Sequence, residues 1–128
     1  MRIRSRALWL AVLVAVFTGS SAWTHHSVAG QFDVTKTITH SGVITKIDWL
    51  NPHIYVFLDA KDDAGATGWA LETVPTAMMR KAGLTRDDLA GTAGEVVTVT
   101  ARPARDGRKN AWILRITYPD GHYYQLAN

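Results

Sequence analysis

Five histidines carry most of the chemistry this sequence offers: an adjacent pair, His25-His26, then His40, His53 and His122. Imidazole is the commonest metal ligand and titrates near neutrality. If the chain is cut after Ala22, the new terminus reads Trp23-Thr24-His25. An α-amine, two backbone amide nitrogens and an imidazole at the third position then form a square-planar nitrogen set, the geometry suited to Cu(II) or Ni(II). A cut after Thr24 makes His25 terminal, able to chelate through its amine and ring together. Either cut gives a copper ligand, so Cu(II) is the candidate cofactor, its identity left open by the sequence. The competing reading makes His25-His26 a polar lead-in that packs on the domain wall.

His53 follows the turn signal Asn51-Pro52 and opens a run in which Tyr55 and Phe57 share its side. Glu72 stands near the end of the next such run, which in a meander is a spatial neighbour. The pair suits a metal site, with His25, His26 and His53 as ligands and a carboxylate behind one of them. It also suits a small-ligand cleft framed by Asn51, Tyr55, Trp69 and Glu72. The plainer alternative is structural: Asn51 and His53 stitch a turn, and Glu72 accepts one of their hydrogen bonds.

Other chemistries find little footing. There is no cysteine and no Gly-x-Ser-x-Gly, and Ser27 and Ser41 lie on no recognisable elbow. Asp62-Asp63 and Asp87-Asp88 read as solvated turn and cap residues, and no glycine-rich phosphate loop is present. No catalytic constellation emerges, so an enzyme is not expected; a metal-activated water at the histidines is the one enzymatic alternative. Arg102, Arg105, Arg108 and Lys109 cluster around one hairpin, with Tyr55, Phe57, Trp69 and Trp112 as aromatics. Aromatic platforms beside a basic groove are what single-strand binding needs. Asp106 inside the cluster and the charge balance described next argue against nucleic acid. The same surface suits a sugar, a peptide or a small anion.

The chain has 128 residues, a formal net charge of +3 and a pI near 9.5. Arg2, Arg4 and Arg6 account for that excess, because from Trp23 onward eleven Lys and Arg face eleven Asp and Glu. These arginines precede the apolar run Ala7 to Phe17 and the small residues Ser20 and Ala22 at −3 and −1, which reads as a secretory signal over residues 1–22. Eleven apolar residues fall short of the roughly 20 a membrane span needs. The expected product is a periplasmic or secreted domain with no transmembrane segment, stabilised by packing without disulfides.

Residues 23–35 lack periodicity and read as an arm; residues 36–128 read as the domain. β-Branched residues from Lys36 to Trp49 predict a first strand, and Gly42, where the apolar parity changes, predicts a bulge or sharp coil. His53 to Asp59, apolar on both faces, predicts a central strand, and Thr67 to Thr73 a third. Pro75 to Ala82 reads as a helix ended by Gly83, and Thr85 with Asp88 as a capping box opening a short turn before Gly91. Glu95 to Ala101, Ala111 to Tyr118 and a short Tyr123 to Leu126 edge complete the β pattern, with Asp106-Gly107 as a hairpin signal. Three strands, a helix and two strands match a small OB-like five-stranded barrel. A split antiparallel sheet with one covering helix is the alternative.

His25-His26-Ser27, Phe32-Asp33, Gly42-Val43, Trp49-x-Asn51-Pro52-His53, Trp69-x-x-Glu72, Gly83-Leu84-Thr85-Arg86-x-x-Leu89 and Pro119-Asp120-Gly121 resemble a bacterial exported family, domain of unknown function 6152. The likeness spans about residues 25–124, and it departs at Trp23-Thr24, where the family often has small residues. It implies an exported, small β-barrel-like domain and no established biochemistry. The function expected is therefore non-catalytic binding of a metal or small ligand. The alternative is a protein–protein interaction module of the cell envelope acting through sheet edges and Tyr123-Tyr124.

Overall fold

A computed structural model of the chain describes residues 27–62 and 65–128. The expected leader and the pair His25-His26 lie outside these residues. In chain order the elements are helix α1 (Val28–Gln31), strands β1 (Ile38–Asp48), β2 (Ile54–Asp62) and β3 (Gly65–Thr73), helices α2 (Thr76–Lys81) and α3 (Arg86–Ala90), and strands β4 (Val96–Pro103), β5 (Asn110–Thr117) and β6 (Tyr123–Gln125).

β1 is long enough to serve two neighbours, pairing antiparallel with β2 and with β4. β2 also pairs with β3, and β4 with β5, which makes the apolar β2 central as expected. A short parallel pairing of β3 with β5 closes the cylinder, so the strands run 1-2-3-5-4 and return to 1. The fold is therefore a closed five-stranded barrel with OB-type layout, its helical segment between the third and fourth strands, and β6 added outside β5.

Alternation along the strands fills the interior. Ile54, Val56 and Leu58 of β2, Leu71 of β3, Val97 and Val99 of β4, and Ile113 and Ile116 of β5 are buried. Met79 of α2 and Leu89 of α3 bury their side chains in the same core. Thr85 and Asp88 form the reciprocal capping box at the start of α3, and the Tyr118 hydroxyl donates to the carbonyls of Asp88 (3.1 Å) and Leu89 (2.8 Å). One short turn is thus tied at both ends.

β1 corrects one expectation. Its irregularity is not at Gly42 but three residues later: Ile44 faces Leu58 while Lys46 faces Phe57, leaving Thr45 as the extra residue. That insertion moves the inward set from the even positions, where His40 faces Val99, to Ile47 facing Val56. Gly42 has another role. It pairs with Ala60 on one side and Val97 on the other, and a Cβ there would strike the Asp59 carbonyl group and lie 2.8 Å from the Ala60 Cα. The parity change was real, but a glycine required for close approach lay near the residue that produced it.

The arm is more ordered than its lack of periodicity predicts. Ser27 caps α1 by accepting from the Gly30 N–H, and Phe32 is fully buried, bridging Ala104 at the end of β4. The Asp33 N–H donates to the Pro103 carbonyl and the Arg105 N–H to the Gln31 carbonyl.

Gly42→Ala should destabilise the barrel by about 1–3 kcal/mol in urea unfolding, because the clash is with backbone that cannot swing aside. The Thr85 hydroxyl and N–H hold the Asp88 carboxyl below the usual carboxylate range. A lowered folded-state value stabilises above the unfolded-state pKa and is lost as pH falls through the folded one. Asp88→Asn should therefore be less stable than the wild type at neutral pH, the difference closing as the pH is lowered past that point.

Candidate functional site

The register sets three side chains in a row on the outer wall. Tyr55 of β2 faces Glu72 of β3, and Glu72 faces Trp112 of β5 across the closing seam. His53, two residues before Tyr55, falls on the same side by strand alternation. Its Nδ1 pairs with Glu72 Oε1, and the Tyr55 hydroxyl donates to Glu72 Oε2 at 3.2 Å. Each carboxylate oxygen thus has a partner.

The two members of this pair sit in different environments. The Glu72 side chain is 4% exposed and that of His53 is 31% exposed. Trp112 meets the His53 ring edge-on at 6.1 Å, and Phe32 from the arm lies 6.1 Å from Trp112 at a tilt. Trp112 faces the buried carboxylate across the seam, and the polar partners that such a group requires are His53 and Tyr55. Burial, and to a lesser degree the Glu72 charge and hydrogen bond, push the Tyr55 phenol up. With Nδ1 on Glu72, the neutral tautomer that donates there leaves Nε2 as an acceptor, which has no partner among the described residues.

The remaining expected residues separate from this group. Asn51 lies in the loop before β2, its peptide bond to Pro52 is cis, and its Oδ1 accepts from the Thr76 hydroxyl at 2.5 Å, tying that loop to α2. Trp69 precedes Glu72 by an odd number of residues and so belongs to the opposite face, where it pairs across from Leu58 and meets the His40 ring at a tilt, centroids 4.3 Å apart. His122 is paired with Asp120 and stacked on Tyr118 at 4.3 Å. Among the described residues no three His, Asp or Glu side chains converge as a metal set.

Phe32 was missed by sequence reasoning, although a lone aromatic between Gln31 and Asp33 is a signal that an arm has an anchor. The tail is divided: Tyr124, Leu126 and Ala127 pack on the barrel, whereas Tyr123 is 53% exposed beneath Arg115.

The β2–β3 face, with the β1–β2 loop and the β4–β5 hairpin beside it, is where OB folds hold ligands. A family described as "Family of unknown function (DUF6152)" matches residues 12–113 of this chain. The chain belongs to that family. Neither the curated proteins nor the solved structures yield a match. Within this DUF6152 chain the site must therefore be argued from its own residues.

Tyr55→Phe should cost about 1.5–3 kcal/mol, since it removes one of two donors from a buried carboxylate. In the nitrogen NMR spectrum, neutral His53 should carry its proton on Nδ1, and Glu72→Ala should abolish that preference.

Proposed function

We propose that this DUF6152 protein is exported, loses residues 1–22, and acts in the periplasm or outside the cell as a non-catalytic binding protein for Cu(II). His25 supplies the terminal nitrogen set, and His26 and His53 are the further imidazoles. The observation that carries this reading is the His53–Glu72 pair. A buried carboxylate fixing one ring nitrogen, with the other left free on a partly exposed ring, is the arrangement that backs a metal-binding histidine.

The connectivity of the arm adds support. Ser27 directly follows His26 and caps α1, which leads to Phe32. Two ring contacts of 6.1 Å each link Phe32 to Trp112 and Trp112 to His53. The segment that follows the histidine pair is thus tied through Phe32 and Trp112 to the single-histidine site. The alternative, an envelope interaction module working through the tail, has less to support it, because most of the tail's apolar surface packs on its own barrel.

Mass spectrometry of the exported protein should find a new N-terminus within a few residues of His25. That protein should take up one equivalent of Cu(II) with the visible absorption of a nitrogen-ligated square-planar ion. His25→Ala with His26→Ala should abolish this uptake, and Glu72→Gln should weaken it by about 10–100-fold. Uptake unchanged by the double substitution overturns the proposal.

A further inference from the structure

A concavity lined in part by Phe32 lies between α1 and the β4–β5 hairpin. It measures about 210 Å³, and its lining includes Gln31, Phe32, Arg105, Asp106, Arg108 and Asn110. This is below the roughly 300–1,000 Å³ of pockets for drug-sized ligands, so its size suits a small metabolite. Its charges are not equivalent. Arg108 is occupied by Asp106, which takes its Nε at 2.6 Å and its backbone N–H at 3.0 Å. Arg105 uses only Nε, donating to the Ala29 carbonyl at 3.0 Å, and its two terminal nitrogens make no hydrogen bond among the described residues.

Asn110 is the second, independent observation. Its side-chain Oδ1 is shut off from solvent and has no hydrogen-bond partner among the described residues. A buried amide oxygen left without a donor costs about 1–3 kcal/mol, and native proteins rarely carry such a group without a reason. Asn110 opens β5 and faces Ala70, so its backbone is fixed by the closing seam while rotation about its terminal side-chain bond remains available. Asn110 lines the pocket, and that rotation exchanges the positions of its amide oxygen and nitrogen.

We infer that this pocket binds a small carboxylate bearing a hydrogen-bond donor on its α-carbon, an α-hydroxy or α-amino acid. The terminal nitrogens of Arg105 take the carboxylate in a two-pronged contact, the geometry that guanidinium favours. The α-hydroxyl or α-ammonium donates to Asn110 Oδ1. Asp106 disfavours a polyanion, because its carboxylate lies in the same lining, and this restricts the site to one carboxylate. The site shares no polar residue with the His53 pair and does not depend on metal binding.

Calorimetric titration of the purified protein in metal-free buffer with L-lactate, L-alanine and propionate tests the inference, because the three share a carbon skeleton. Lactate, alanine or both should bind at least tenfold more tightly than propionate, and whichever binds identifies the α-donor. Arg105→Gln should weaken that binding at least tenfold. Asn110→Val should reduce the preferred ligand to the level of propionate without lowering the melting temperature, since it removes an unpaired polar atom. This second variant keeps the test decisive if loss of the Arg105 bond to Ala29 loosens the arm. Because the titration is run without metal, binding here is read separately from the proposed Cu(II) site. No binding of either α-substituted acid at millimolar concentration, equal affinity for propionate, or an Asn110→Val protein that still discriminates would each overturn the inference.

Discussion

The parallel contact between β3 and β5 is the constraint on which the rest depends. It comprises three facing pairs, Ala70–Asn110, Leu71–Ala111 and Glu72–Trp112, yet it turns an open sheet into a barrel. Parallel strands cannot be joined by a tight turn, so the chain must cross between them, and α2, α3 and β4 are that connection. Each of the three pairs has a separate consequence. Leu71 and Ala111 close the core, Glu72 and Trp112 build the wall around His53, and Ala70 holds Asn110 beside Phe32. A slip of one residue at this seam would turn Glu72 to the interior and Leu71 to the outside.

Charge on this surface is mostly local. Lys36–Asp33, Lys46–Asp48, Arg108–Asp106 and His122–Asp120 each join residues two or three apart. Such exposed pairs are worth about 0–1 kcal/mol and organise turns more than they hold a fold. His53–Glu72 differs in kind, because it ties the entry of β2 to the end of β3 and one partner is buried. Breaking a buried pair from one side leaves a desolvated charge, whereas the exposed pairs relax into water. This asymmetry makes Glu72 the residue around which the outer wall is arranged.

How far the molecule could be read from its sequence follows from the range of each interaction. Period-two alternation, the Thr85–Asp88 cap and the Asp106-Gly107 turn are local, and they appear near where the residues announced them. The pairing of His53 with Glu72 was also within reach, since consecutive strands of a meander are neighbours. Trp69 was grouped with Glu72 by proximity in the chain, although the odd spacing already assigned it to the other face. Thr45 was obscured because an extra residue has no composition of its own, and a glycine nearby offered a more familiar cause. The facing of Glu72 by Trp112, the anchoring of Phe32 at Ala104 and the unpaired amide of Asn110 are contacts between distant segments. No window of sequence contains them.

Phe32 unites these contacts, because one buried ring serves two sites. One side of it meets Trp112, which shelters the His53–Glu72 pair; it also lines the pocket that holds Arg105 and Asn110. Its position is fixed by backbone on both flanks, through the Asp33 N–H to Pro103 and the Arg105 N–H to Gln31. An aromatic ring buried to this extent contributes a large apolar area, and edge contacts between rings add a further ~0.5–1.5 kcal/mol. The segment that lacked any periodic signal is therefore held by the Phe32 ring, two backbone bonds and the Arg105 bond to the Ala29 carbonyl. Displacing that ring would take away the support of Trp112, which faces Glu72, and one wall of the Arg105 pocket in the same movement, so the arm bears on both.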